Sequence, residues 1–400
     1  MNPLVPIIDA MATRKPCGPP RPLAPGDIVA GFCEALGKWA AAQVTDLDPE
    51  WKTAGVLDLD WSGPEPSSVT DLGQAAALRL THHSWAGALS HVNHDWLLPR
   101  GCKVIGAMPL PHARRSASYS RGWQIGRQLA MQRRWDAGDQ GPWSDPREVT
   151  CTGAELNDAL ASPAESRPDI WSLTVRDVKS LDCALLAARY PGLAVLSVSG
   201  NFGALTNASS LNQLATLKRL FIHGLLEMGQ ADCLHPARVP ALELLGLHNI
   251  PYDYATVMRA RWRPQTPNGT LVDITGARKA EWLAENMSNP LREWDGRAHI
   301  SRARFAKATA QYKATRRAIM AALSADDGEA AASRLAQFGR EYAEAFNRLD
   351  GGVPFIETDE REELFDALDL IIADAQATTG KDFAAARQSL IDGVEAARDW

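Results

Sequence analysis

Four triplets of apolar residues recur through the middle of the chain, and no other feature restricts the fold so tightly. Each has the form apolar, two free positions, apolar, one free position, apolar. They are Ile170, Leu173 and Val175; Leu193, Leu196 and Val198; Leu217, Leu220 and Ile222; and Leu242, Leu245 and Leu247. The starts are separated by 23, 24 and 25 residues. Within each triplet the second and third apolar residues lie two apart, so on an extended strand they point to one side. Between triplets, Leu181, Leu185 and Leu186, and then Leu211 and Leu214, recur at helical spacing. One strand and one helix cannot bury both apolar faces alone. Neighbouring units are therefore expected to stack, with parallel strands on one side and helices on the other.

This cadence resembles the leucine-rich-repeat superfamily over roughly 80 to 110 residues. The resemblance implies an α/β fold: a short leucine-rich-repeat solenoid, parallel strands backed by helices, flanked by helical regions. In the family's fuller pattern an Asn or Cys stands three positions after the last apolar residue, where it satisfies backbone groups as the chain leaves the strand. Asn201 matches, whereas Val178, Leu225 and Ile250 occupy the other places, so the array is irregular. Val149-Thr150-Cys151 before it and Leu271-Val272-Asp273-Ile274 after it read as degenerate units. Three domains are expected: residues 1–145, mainly helical; 146–276, the repeats; and 277–400, a cap and a helical bundle.

On such strands the alternate side chains face the concave surface: Ser172, Thr174 and Arg176; Val195, Ser197 and Ser199; Arg219, Phe221 and His223; Leu244, Gly246 and His248. With strands about 4.8 Å apart, Arg219, Phe221, His223, Leu244 and His248 cluster at one end, with Arg176 at the other. Aromatic and Arg residues are enriched at binding hot spots, so these six are the candidate partner-binding residues. Coverage of this face by a flanking domain is the competing reading. His223 and His248 alone supply too few ligand types for a metal, and no cofactor is expected.

After the repeats, Arg259, Arg261, Trp262 and Arg263 are followed by a Pro, Asn and Gly cluster, Pro264 to Gly269, that reads as a boundary loop. The stretch 280–300 is similar to the segment that follows the repeats in bacterial leucine-rich-repeat proteins, and its Trp282 and Trp294 are expected to seal the end of the stack. From Ser301 onward, apolar stripes at helical spacing are expected to form a bundle: Phe305, Thr309, Tyr312, Ile319 and Leu323, then Leu335, Phe338, Tyr342, Phe346 and Leu349, then Leu364, Leu368, Ile371 and Ala375. A last helix is expected from Asp382 to about Arg398. Ser301 to Arg317 carries six cations and no acid, whereas the chain from Ser324 carries 18 acids against 7 cations. The two can neutralise one another. Thr358 is the expected N-cap of the third stripe's helix.

Before the repeats, Pro16 to Pro25 reads as a linker, and Asp27–Ala42 and Val69–Leu98 read as helices. His91 and His94 would share a face of the latter. With His82, His83 and Cys102 a zinc site is conceivable, but the spacing matches no ligand pattern and packing is preferred. Arg100 to Arg134 holds eight cations and no acid, interleaved with Tyr119 and Trp123. Such a segment suits nucleic-acid contact, or equally the neutralisation of acids elsewhere in the chain. Gly31 to Lys38 fails as a phosphate loop, because five residues separate Gly31 from Gly37 and Trp39 stands where Ser or Thr is required. No other local catalytic motif stands out. A Cys and His pair stays open, with nothing to select one Cys from six.

The formal net charge of −6 argues against a dedicated nucleic-acid binder. Scattered cysteines fit reduced thiols, and neither a signal-peptide core nor a membrane-length apolar run is legible. The expectation is a cytoplasmic protein, delivery into a host cell staying open. It would bind a protein partner on the concave face of the repeats. The alternative is an enzyme or nucleic-acid-binding module in the N-terminal region, with the repeats as its recognition arm.

Overall fold

The computed structural model describes residues 22–110, 115–163, 165–325 and 329–400. Most of the 16–25 linker and Arg114 lie outside them. The chain forms two compact units, 1–279 and 280–400. The first contains both the stretch expected as the N-terminal region and the stretch that carries the apolar triplets.

Among its described residues the N-terminal region, expected to be mainly helical, is mostly strand. Its centre is a five-stranded antiparallel sheet made from β1 (Asp27–Cys33), β2 (Lys38–Asp48), β3 (Thr53–Gly63), β6 (His91–Asp95) and β7 (Cys102–Ala107), in the order β6-β3-β2-β1-β7. A small hairpin, β4 (Arg79–Leu80) with β5 (Ala88–Leu89), stands beside it, and helix α1 (Arg127–Asp136) follows. The Ala40-Ala41-Ala42 run that reads as helix occupies the middle strand. Ala40 and Ala42 pack on one face with Val29, Val56, Trp123 and Ile125, and Ala41 packs on the other with Ile28, Leu59 and Ile105. A strand buried on both faces loses the alternation that identifies strands, and small residues then imitate helix. Within Val69–Leu98 only Val69–Leu72 is helical, as a single 3-10 turn. His91 and His94 lie on a strand, where residues three apart face opposite sides.

The rest of the first unit is a parallel sheet. Strands β8 (Glu148–Thr152), β9 (Ser172–Arg176), β11 (Val195–Thr206), β12 (Arg219–Leu226), β13 (Leu244–His248) and β14 (Leu271–Thr275) pair in succession, and β10 (Ser180–Asp182) adds to β11. The triplets stand in register: Leu173 opposite Leu196, Leu196 opposite Leu220, and Leu220 opposite Leu245. The segments read as degenerate units are the outer strands, β8 and β14. Between strands run α2 (Gly153–Ala161), α3 (Cys183–Arg189), short 3-10 turns and α4 (Tyr252–Trp262). Their apolar residues, from Leu156 and Leu186 to Met258 and Trp262, share one core with the inward triplets. Thr152 caps α2 with a reciprocal bond to Glu155, and Asp182 caps α3 through the Ala184 N–H. Asn201 is exposed in an irregularity where β11 shifts register against β12 between Ser199 and Gly203. Gly224 closes that irregularity from the other strand, with φ +61° and no room for a Cβ beside the Gly200 carbonyl.

The second unit holds α5 (Ala280–Asn286) and four longer helices: α6 (Arg302–Ala325), α7 (Glu329–Asp350), α8 (Thr358–Thr379) and α9 (Ala384–Glu395). The expected stripes supply much of its core. Trp294, expected to seal the end of the stack, packs in the core of its own unit. It is fully buried among Phe346 and Phe355, and its indole N–H donates to Glu363. The residue before α8 is Glu357, one position earlier than the expected cap, and its backbone N–H bonds to Glu360. Of the basic segment, Arg316 pairs with Asp374 across the bundle and Arg304 donates to the Val353 carbonyl. No helix among the described residues is long and apolar enough to cross a membrane.

Gly224→Ala is expected to lower the unfolding free energy by about 1–3 kcal/mol, measured by urea denaturation. A change within about 0.5 kcal/mol would show that the backbone there tolerates a Cβ.

Candidate functional site

The face of the parallel sheet turned away from its core carries the alternate residues in rows, one residue per strand. The N-terminal sheet covers the row at the strand starts. Leu244 is only 3% exposed, with its side chain against Gly122, and the Arg219 guanidinium donates to the Trp123 carbonyl. Lys218 pairs with Glu34 at 2.6 Å, Arg127 with Glu148, and Arg121 with Asp273. Glu243 accepts from the Gly101 N–H at 3.1 Å, and Arg100 reaches the Pro240 carbonyl at 2.7 Å. The expectation that Leu244 and Arg219 stand open to a partner is therefore corrected. Coverage by a flanking region, the competing reading, describes this half of the face.

The two sheets do not close completely. Between them lies a cavity of about 350 Å³, walled by Phe32, Glu34 and Cys102 from one side and by Ser197, Lys218, Arg219 and Phe221 from the other, with Trp123 and Trp171 also lining it. That volume lies within the range of small-molecule sites. Four of its ionisable groups are shifted from their ordinary values. Burial pushes the Glu243 carboxyl above its usual range, against the attraction of Lys218 and Arg219. Burial alone would lower Lys218, but the Glu34 carboxylate holds its ammonium above the ordinary value. Burial also raises both cavity thiols, Cys33 and Cys102. Neither is held as a thiolate, the form that a nucleophilic cysteine requires.

Beyond the covered row, the face is open. Arg176, the last residue of β9, and His223, within β12, are exposed. His223 meets the Asn249 amide at 3.2 Å and lies edge-on to His248, ring centroids 6.5 Å apart. His248 bonds to the Thr275 hydroxyl at 2.6 Å and approaches Asp273 at 3.5 Å. Burial holds its pKa below the usual histidine value, against the pull of Asp273. Phe221 is half-buried and lies over Gly246, which leaves space for its ring. The six candidates thus divide: Arg219 and Leu244 under the N-terminal sheet, Phe221 at the cavity wall, and Arg176, His223 and His248 on the outer row.

The other sequence candidates are held apart. His82 bonds to Gln128 and His83, His91 to Thr45, and His94 to the Ser120 carbonyl while stacking on Trp123. No group of three potential metal ligands forms among the described residues. The basic segment is neutralised within its own unit. Lys103 pairs with Glu65, Arg115 with Asp46 and Asp48, Arg133 with Asp60 and Arg134 with Asp139, besides the pairs of Arg121 and Arg127. Glu34, Lys218 and Glu243 were missed in the sequence. Lys218 and Glu243 each occupy the first free position of a triplet, beside the alternate position that was read, and this was the available signal.

Glu243 yields a pH dependence. Its carboxyl is raised in the folded state, so the native protein binds this proton more readily than the unfolded chain. The resulting stability is complete below the unfolded pKa and is lost as pH rises through the folded one. Glu243→Gln is therefore expected to flatten that loss, seen in urea midpoints from pH 4 to pH 8 relative to the parent. An unchanged slope would show that Glu243 ionises without penalty.

Comparison of the chain with protein-family models, with curated proteins and with solved structures finds no match.

Proposed function

We propose that this is a binding protein of the cytoplasm whose parallel sheet is a short, irregular leucine-rich-repeat array, and that it holds a protein partner on the open part of the concave face. The single observation that carries the reading is the outer row of that face. Arg176, Ser199, His223 and His248 occupy equivalent positions on β9, β11, β12 and β13, in register, and Arg176 and His223 are exposed. Phe221 stands one row inward and supplies an aromatic ring beside them. Aromatic and His rings on a rigid sheet need little ordering on association, which favours affinity, and Arg is enriched at binding hot spots.

The coverage of the strand starts narrows the proposed surface and does not abolish it. Nucleic-acid binding through Arg100 to Arg134 loses its support, because each of the seven described cations there already has a carboxylate or carbonyl partner. A stripe of free cations is what phosphate contact requires.

The test is affinity copurification of the full chain against the combined Arg176→Ala, Phe221→Ala and His223→Ala variant. A protein retained in fixed stoichiometry by the parent is expected to be lost by the variant, with Phe221→Ala alone costing about 2 kcal/mol of binding. Identical retention by parent and variant would remove this face from the binding reaction.

A further inference from the structure

We propose that the cavity between the two sheets of the first unit binds a small organic oxyanion, a carboxylate or phosphate monoester with an apolar body, anchored on Arg219. The cations of the wall differ in whether a carboxylate holds them. Lys218, Arg127 and Arg121 are each held by a carboxylate. Arg219 is different: it donates to the Trp123 carbonyl, and no carboxylate lies within 4 Å of it among the described residues. A guanidinium has five N–H donors, so Arg219 retains donors for a ligand that supplies acceptors.

The hydroxyls of Ser172, Thr174 and Ser197 line the same cavity. Thr174 and Ser197 lie opposite one another on β9 and β11. None of the three has a side-chain hydrogen bond to the protein among the described residues, so they too are available to an oxyanion. The remaining wall sets the other half of the ligand. Phe32, Trp123, Trp171 and Phe221 present aromatic surface, which suits a planar or aliphatic body better than a bare inorganic ion. The nearby carboxyls oppose an anion only weakly. Glu34 and Glu148 are neutralised by their partners, and burial shifts Glu243 toward its uncharged form. Partly buried charged groups add little to stability, whereas a ligand that completes their hydrogen bonds gives them a use.

The experiment titrates phenyl phosphate and, separately, benzoate into the full-length protein and follows tryptophan fluorescence, since Trp123 and Trp171 lie in the wall. Saturable binding of at least one probe is expected. Arg219→Met should weaken it at least about tenfold, as expected for loss of a charge-assisted hydrogen bond, and Ser197→Phe, which fills the cavity, should abolish it. Arg238→Met, at an exposed site across the unit, should leave it unchanged. Absence of saturation by both probes at millimolar concentration overturns the proposal, as does equal affinity in Arg219→Met. Inorganic phosphate binding as tightly as phenyl phosphate overturns the apolar half of the assignment. Should Arg219→Met fail to fold, Ser197→Phe decides: undiminished binding there overturns the site. None of these readouts involves a protein partner, so the outcome is independent of the copurification above.

Discussion

The in-register stacking of the aliphatic triplets is the interaction on which the first unit depends. Leu173, Leu196, Leu220 and Leu245 form one continuous buried row, all at 0% exposure. Each such side chain contributes about 1.5–3 kcal/mol by leaving water, and only when its neighbour is present. The same register fixes the opposite face. Once the leucines point inward, Ser172, Val195, Arg219 and Leu244 stand in one outward row, and Arg176, Ser199, His223 and His248 in another.

The N-terminal sheet uses the first row and leaves the second. Its attachment is largely polar, with Lys218 to Glu34, Arg127 to Glu148 and Arg121 to Asp273, and Leu244 against Gly122 as an apolar contact. Partly buried pairs of this kind contribute modestly to stability, because desolvation offsets much of the attraction, but their geometry fixes one docked arrangement. The incomplete closure of the two sheets creates the cavity. Its wall combines groups that are far apart in the chain: Glu34 from the turn after β1, Cys102 from β7, and Lys218 and Glu243 from the residues before β12 and β13.

Local periodicity made parts of the chain legible. The 23 to 25 residue cadence placed four strands, the two flanking segments supplied the outer ones, and the helical stripes after Ser301 appear as α6 to α8. Misreadings occurred where tertiary context overrode the local pattern. Ala40 to Ala42 is buried on both faces of a sheet, so no alternation marks it as strand. His91 and His94 belong to a strand whose identity depends on pairing with Thr53–Leu57, more than 30 residues away. Trp294, placed by sequence at the end of the repeats, instead fills the core of the helical unit.

What the residues determined by themselves was therefore the inward side of the parallel sheet and the helical stripes, because a fixed period of apolar side chains has one economical way to leave water. The outward side was decided only in three dimensions. Whether Leu244 is a contact residue or a buried one, and whether Arg219 faces solvent or a carbonyl, depends on a sheet contributed by residues about a hundred positions earlier. Docking of that kind is set by complementary surfaces and charge pairs distant in sequence, and a local pattern has no means of recording them.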